Sequence, residues 1–128
     1  MVAVGDLARF PNALYDGVAR RVEHWSIPTD TGKRAGATLA SHLAGTPLDP
    51  APFAPMPSFW SDQYDQRLQS FGALGIADQV SLLEGDLDAE FVASYLRAGR
   101  LVGVAGIGLM QSLLRLRGEL LAASAAAT

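Results

Sequence analysis

The chain has no cysteine among its 128 residues, which excludes disulfides, thiolate nucleophiles and cysteine-held metal or iron–sulfur sites. It has no basic excess either. Ten lysines and arginines against thirteen acidic residues give a formal net charge of −3, so nothing draws the chain to nucleic acid or to an anionic membrane. No apolar run approaches the roughly 18 residues that a membrane span needs. The start, Met1-Val2-Ala3-Val4-Gly5-Asp6, lacks the basic flank and long apolar run of a signal peptide. A soluble, cytoplasmic protein is the expectation. With only two histidines, His24 and His42, far apart in sequence, no metal site is expected.

What the chain does contain is material for a core. Hydrophobic residues make up 49% and charged residues 18%, a balance that argues against disorder. A chain of this length can bury roughly two-thirds of its unfolded surface. Met1 to Val4 reads as a strand end stopped by a turn at Gly5-Asp6. Pro11, Asn12, Asp16 and Gly17 mark loop, and Arg20 to Trp25 a short extended piece. Pro28 suits the first position of a helix, with Ser26 or Ile27 outside it. Ala35, Leu39 and Leu43 recur at four-residue spacing, so that helix is expected to reach Leu43 and stop at Gly45. Five of the seven prolines then cluster at 47, 50, 52, 55 and 57, which forbids regular structure and favours an extended connector.

Strand signals follow. Phe59 to Tyr64 and Arg67 to Phe71 read as two extended runs around a turn, and Gln79 to Leu83 as a third. Phe91 to Leu96 and Leu101 to Ile107 read as a hairpin around Arg97-Ala98-Gly99-Arg100, where Gly99 can supply a positive φ. Leu109, Leu113, Leu116 and Leu120 form one stripe of a final helix, and Ala122 to Thr128 a frayed tail. The expected fold is α+β: a largely antiparallel sheet of about five strands, with an N-terminal and a C-terminal helix packed on it. The expected organisation is a piece over 1–45, a connector over 46–57 and a main unit over 58–128.

Four segments, in order, resemble the ferredoxin reductases, the FAD- and NAD(P)H-dependent flavoproteins that pass electrons to small iron–sulfur proteins. Phe59-Trp60-Ser61-Asp62-Gln63-Tyr64-Asp65 resembles the opening signature of their C-terminal domain. Gly5-Asp6-Leu7-Ala8 resembles the Gly-Asp motif near the end of their FAD-binding domain, which makes 1–45 the remnant of that domain. Arg21-Val22-Glu23-His24-Trp25 is similar to the segment that lies against the isoalloxazine ring, and Glu90 to Val104 to the C-terminal hairpin. The resemblance implies cofactor-facing roles for Gly5, Asp6, Glu23, His24, Trp25 and Trp60. Three departures stand beside it. No G-x-G-x-x-G follows a strand, and Gly103-Val104-Ala105-Gly106-Ile107-Gly108 has its glycines in the wrong order. Gly108-Leu109-Met110 replaces a polar Asn-Arg-Pro-like stretch. Pro28 and Thr31 stand where the family often has Gln and Ala.

Flavin binding needs a helix N-terminus and a glycine turn to hold the phosphates. No cofactor is therefore expected on the isolated chain, and FAD only where a partner chain supplies the dinucleotide fold. The candidate pocket residues are Trp25, Phe59, Trp60 and Tyr64, lining a vacated flavin-side hollow that could take a small apolar or planar ligand. The catalytic candidates are His24 tuned by Glu23, and Tyr64. The plainer readings are core packing for the aromatics and a structural role for a lone histidine. His42 reads as a partner of its helix C-terminus. Asp62 and Asp65 read as partners of Arg67 or caps of local amides, and Tyr95 as a sheet residue. The run Glu84 to Glu90 lacks the glycine and terminal glutamate of a calcium loop at the needed offsets and reads as a solvated loop.

Two functional expectations follow, beside a third, that of a truncated fragment without activity. In the first, the chain is a free-standing relative of the reductase lid. It forms a homodimer to cover an exposed apolar face and binds a small molecule, with cofactor-independent isomerisation or cyclisation as its chemistry. In the second, it completes the FAD site of a ferredoxin reductase together with a flavoprotein partner.

Overall fold

The computed structural model describes residues 1–125 and divides the chain into two compact units, Met1–Pro57 and Ser58–Thr128. In the first unit the start is extended, with Val4 at φ −134 and ψ 160, but it joins no ladder. Gly5–Leu7 forms a single 3-10 turn. The expected strand end therefore lacks a neighbouring strand among the described residues. The piece expected over Arg20 to Trp25 is likewise reduced to one bridge, Phe10 with Arg20.

Helix α1 spans Ser26–Ala44, two residues earlier than Pro28 predicts. The discrepancy is small in energy, because the first four N–H groups of a helix have no intrahelical acceptor and a proline there removes nothing. Gly45 ends the helix in the left-handed region at φ 66, and its N–H returns to the carbonyls of Ser41 and His42. That is the glycine cap the sequence indicates. Ile27, fully buried, and Thr31, 4% exposed, anchor the inner face of α1. The proline-rich segment beyond it is extended, without regular structure.

The second unit is a five-stranded antiparallel sheet with one helix. The strands are β1 (Ser58–Gln63), β2 (Gln66–Gly72), β3 (Gln79–Gly85), β4 (Phe91–Arg97) and β5 (Arg100–Ile107), and the helix is α2 (Met110–Ala125). Their order in the sheet is β1-β2-β5-β4-β3. The β4–β5 turn has both central residues, Ala98 (φ 49) and Gly99 (φ 76), in the left-handed region, as a two-residue hairpin requires. A short 3-10 turn, Leu74–Ile76, carries the chain out of β2. The frayed tail expected from Ala122 is instead helical to Ala125; residues 126–128 lie outside the described residues.

Helix α2 packs on β5 and β2. Leu113, Leu116 and Leu120 are buried, while Leu109 of the predicted stripe precedes the helix at φ 45. Leu113, Leu116 and Leu120 share the core of this unit with Phe71, Val92 and Val104, of which the two valines are fully buried. Burial of the three leucines contributes on the order of 5–8 kcal/mol before ordering entropy is counted.

Candidate functional site

The β1–β2 hairpin positions the motif that the sequence singles out. Its two-residue turn, Tyr64-Asp65, pairs Gln63 with Gln66 and thereby sets Trp60 opposite Gln69 and Asp62 opposite Arg67. Strand neighbours point to opposite faces, so Trp60 lies on the α2 side of the sheet and Phe59 on the other. These two side chains cannot line one hollow of the sheet.

Around Trp60 the chemistry is cationic and aromatic. The Arg67 guanidinium carbon stands 6.0 Å from the indole centroid, at the outer limit of a cation–π contact. Its Nε is 3.7 Å from Asp62 Oδ1, an exposed pair that contributes little. Arg117 of α2 reaches over the buried Phe71 ring at 5.4 Å. Gln69 Oε1 is buried without a hydrogen-bond partner. Arg67 as a neighbour of Trp60, and the involvement of Gln69 and Arg117, were not visible in the sequence. The signal for the first two is the length of the turn: once it is two residues, the cross-strand pairs follow.

The other candidates are exposed. Trp25 belongs to the first unit and is 84% exposed, Trp60 and Phe59 are 43% and 41% exposed, and Tyr64 is fully exposed at the hairpin tip. Tyr64 holds φ 57, uncommon for a bulky residue, and its side chain encloses nothing in this chain. The acidic run departs from a simple loop at its start, since Glu84 and Gly85 end β3 and Glu84 Oε2 accepts from the Ser112 hydroxyl at 2.6 Å. Among the described residues no group of three His, Asp or Glu side chains could hold a metal. No described helix is long and apolar enough to cross a membrane.

The first unit presents the second group of candidates. Gly5, at φ 64, donates its N–H to Thr31 Oγ1 at 2.9 Å, and Thr31 passes its own proton to the Ile27 carbonyl at 2.6 Å. Asp6 is exposed in the 3-10 turn. Glu23 faces Arg21 at 2.9 Å rather than His24. A half-open hollow of about 280 Å³ lies in this unit, with Val2, Ala8, Phe10, Arg34, Ala35 and Phe53 in its wall. None of the four pocket aromatics lines it. FAD does not fit these residues alone: the Gly5 amide is already used, and no glycine turn is present for a pyrophosphate.

Burial lowers the His24 pKa from its ordinary 6.5. The neutral imidazole is thus favoured in the folded chain, and the unfolded chain binds more protons in that range. Stability contributed by His24 is present above pH 6.5 and is lost as pH falls from there toward the lower folded value. His24→Gln is expected to flatten the pH dependence of thermal unfolding in that window; an unchanged slope would show that another group carries it.

With this geometry in place, the known proteins can be compared. Residues 58–128 match the profile of the reductase C-terminal family. The chain belongs to that family. Across 103 residues, 80% of the chain, it is 37% identical to the 5,5'-dehydrodivanillate O-demethylase ferredoxin reductase subunit of Sphingobium sp.. It is 32% identical over 106 residues to putidaredoxin reductase of Pseudomonas putida. Among solved structures, the putidaredoxin reductase–putidaredoxin covalent complex aligns with 91% of the chain at a TM-score of 0.71 and 28% identity. The chain spans about a quarter of these proteins: 23% of each of the two relatives and 26% of the solved chain. As a reductase C-terminal domain, the second unit has the fold and motif order that its sequence implies.

Proposed function

We propose that this chain supplies the C-terminal part of a ferredoxin reductase and completes an FAD site together with dinucleotide-binding folds that lie outside these 128 residues. The observation that carries this reading is the reach of the similarity. It covers 80% of the chain in one relative and 91% in a solved structure, and so extends beyond the 71-residue family match into the first unit. A module evolved only for packing has no need of that region. On this reading Trp60, with Arg67 beside it, faces the redox centre or its protein partner, and electrons pass to a ferredoxin.

The test is complementation. The purified chain is expected to be colourless and to retain no added FAD on gel filtration. Mixed with a putidaredoxin reductase shortened by its C-terminal domain, it is expected to bind and to restore NADH-dependent reduction of putidaredoxin. Flavin carried by the chain alone would show that no second polypeptide is needed, and failure to associate would remove the shared-site reading. The hollow in the first unit is walled by residues other than the four aromatics expected for an isomerase or cyclase pocket. A homodimer remains open to the same gel filtration, where it would elute at twice the chain mass of 13.5 kDa.

A further inference from the structure

The proline-rich segment is expected from composition to be an extended connector, and three points fasten it within the first unit. Arg34, on α1, donates from Nη1 to Asp49 Oδ2 at 2.8 Å and from Nη2 to the carbonyls of Asp49 at 3.0 Å and Ala51 at 2.7 Å. Phe53 packs against Phe10, ring centroids 5.0 Å apart. Asn12 Nδ2 donates to the Pro55 carbonyl at 2.7 Å. Asp49 also accepts from the Ala51 N–H at 2.9 Å, which folds the segment into the turn that presents both carbonyls to the guanidinium.

The geometry points to a latched strap, with Arg34 as the latch. A guanidinium suits this task because its planar fork offers several donors at once, which a lysine ammonium does not match. An exposed ion pair alone would hold little; here the Arg34–Asp49 pair, with side chains 30% and 61% exposed, is reinforced by two backbone acceptors. The strap also forms part of the wall of the hollow in the first unit, through Phe53.

The consequence is for the wall of the hollow: releasing the strap takes Phe53 out of it and away from Phe10. Because the ionic part of the latch is exposed, raised salt weakens it. This holds whether or not the chain completes a flavin site.

Limited proteolysis tests it. Chymotrypsin cleavage after Phe53 is expected to be slow in the native chain and about tenfold faster in Arg34→Ala combined with Asn12→Ala, because cleavage follows the released population. Asp49→Asn, a change confined to the exposed strap, is expected to fall between them, and high salt is expected to bring the native chain to the Asp49→Asn rate. Rapid cleavage of the native chain, or Asp49→Asn cleaved no faster than native, would overturn the latch.

Discussion

Leu113→Ala is expected to cost the second unit about 3–5 kcal/mol, the range for removing a buried leucine whose surroundings cannot collapse. Leu113 is fully buried on α2, which packs on β5 and β2, and belongs to a core that includes Leu116, Phe71, Val92 and Val104. A unit of this size has a total stability of only about 4–10 kcal/mol, so the loss should move the urea midpoint to a fraction of the native value or leave the unit unfolded. Leu114, one residue along and 49% exposed, is the control. Its alanine variant should lie within about 0.5 kcal/mol of native. Circular dichroism during urea titration reads both, and comparable shifts for the two variants would mean that α2 is not seated on the sheet as described.

The strands and helices are legible in the sequence because local patterning specifies them. The alternation in Phe91 to Leu96 and Leu101 to Ile107, with Gly99 between, gives a hairpin by turn chemistry alone, and the leucine period gives α2. The order of the sheet is not legible in the same way. β2 pairs with β5, more than thirty residues later, and nothing local in β2 says which strand it will meet. Its partner follows from packing, where Gly72 lies against Gly103 and Phe71 against Val104. The strap was hidden for a related reason: prolines forbid helix and sheet, but they do not forbid side-chain anchoring, and Arg34 lies fifteen residues before Asp49.

The candidate site divides along the same line. The Trp60 motif could be read because its residues are contiguous, but its surroundings depend on pairings that only the fold supplies. Within the hairpin Phe59, Trp60 and Tyr64 separate in three dimensions, because adjacent residues of a strand face apart and a hairpin tip faces solvent. What remains together is Trp60 with Arg67, Gln69 and the Arg117–Phe71 contact, all on the side of the sheet that carries α2. If this surface meets the rest of a reductase or its ferredoxin, Arg67→Ala should weaken complementation without lowering the stability of the isolated chain.

Gly72→Ala is expected to be nearly as damaging as the loss of Leu113, for a different reason. Gly72 ends β2 at φ 93, a conformation that L side chains rarely adopt. An added Cβ would overlap the Val102 carbonyl and stand 2.7 Å from Gly103 Cα, both backbone atoms that cannot turn aside. Strain and overpacking together come to about 3–5 kcal/mol. The site most affected is the seam between β2 and β5, and β1 has no neighbour in the sheet except β2. Loosening that seam should therefore release β1 with Trp60 while β3 and β4 remain paired. Hydrogen exchange would show faster exchange in β1 and β2 with β3–β4 protection retained. The comparison is Gly99→Ala, where φ is 76 but nothing lies within 4 Å of the added carbon, so only about 1 kcal/mol of turn strain is expected. Were the two variants to lose equal stability, the close approach of Gly72 to β5 would not be what closes the sheet, and the position of Trp60 would have to be held by other contacts.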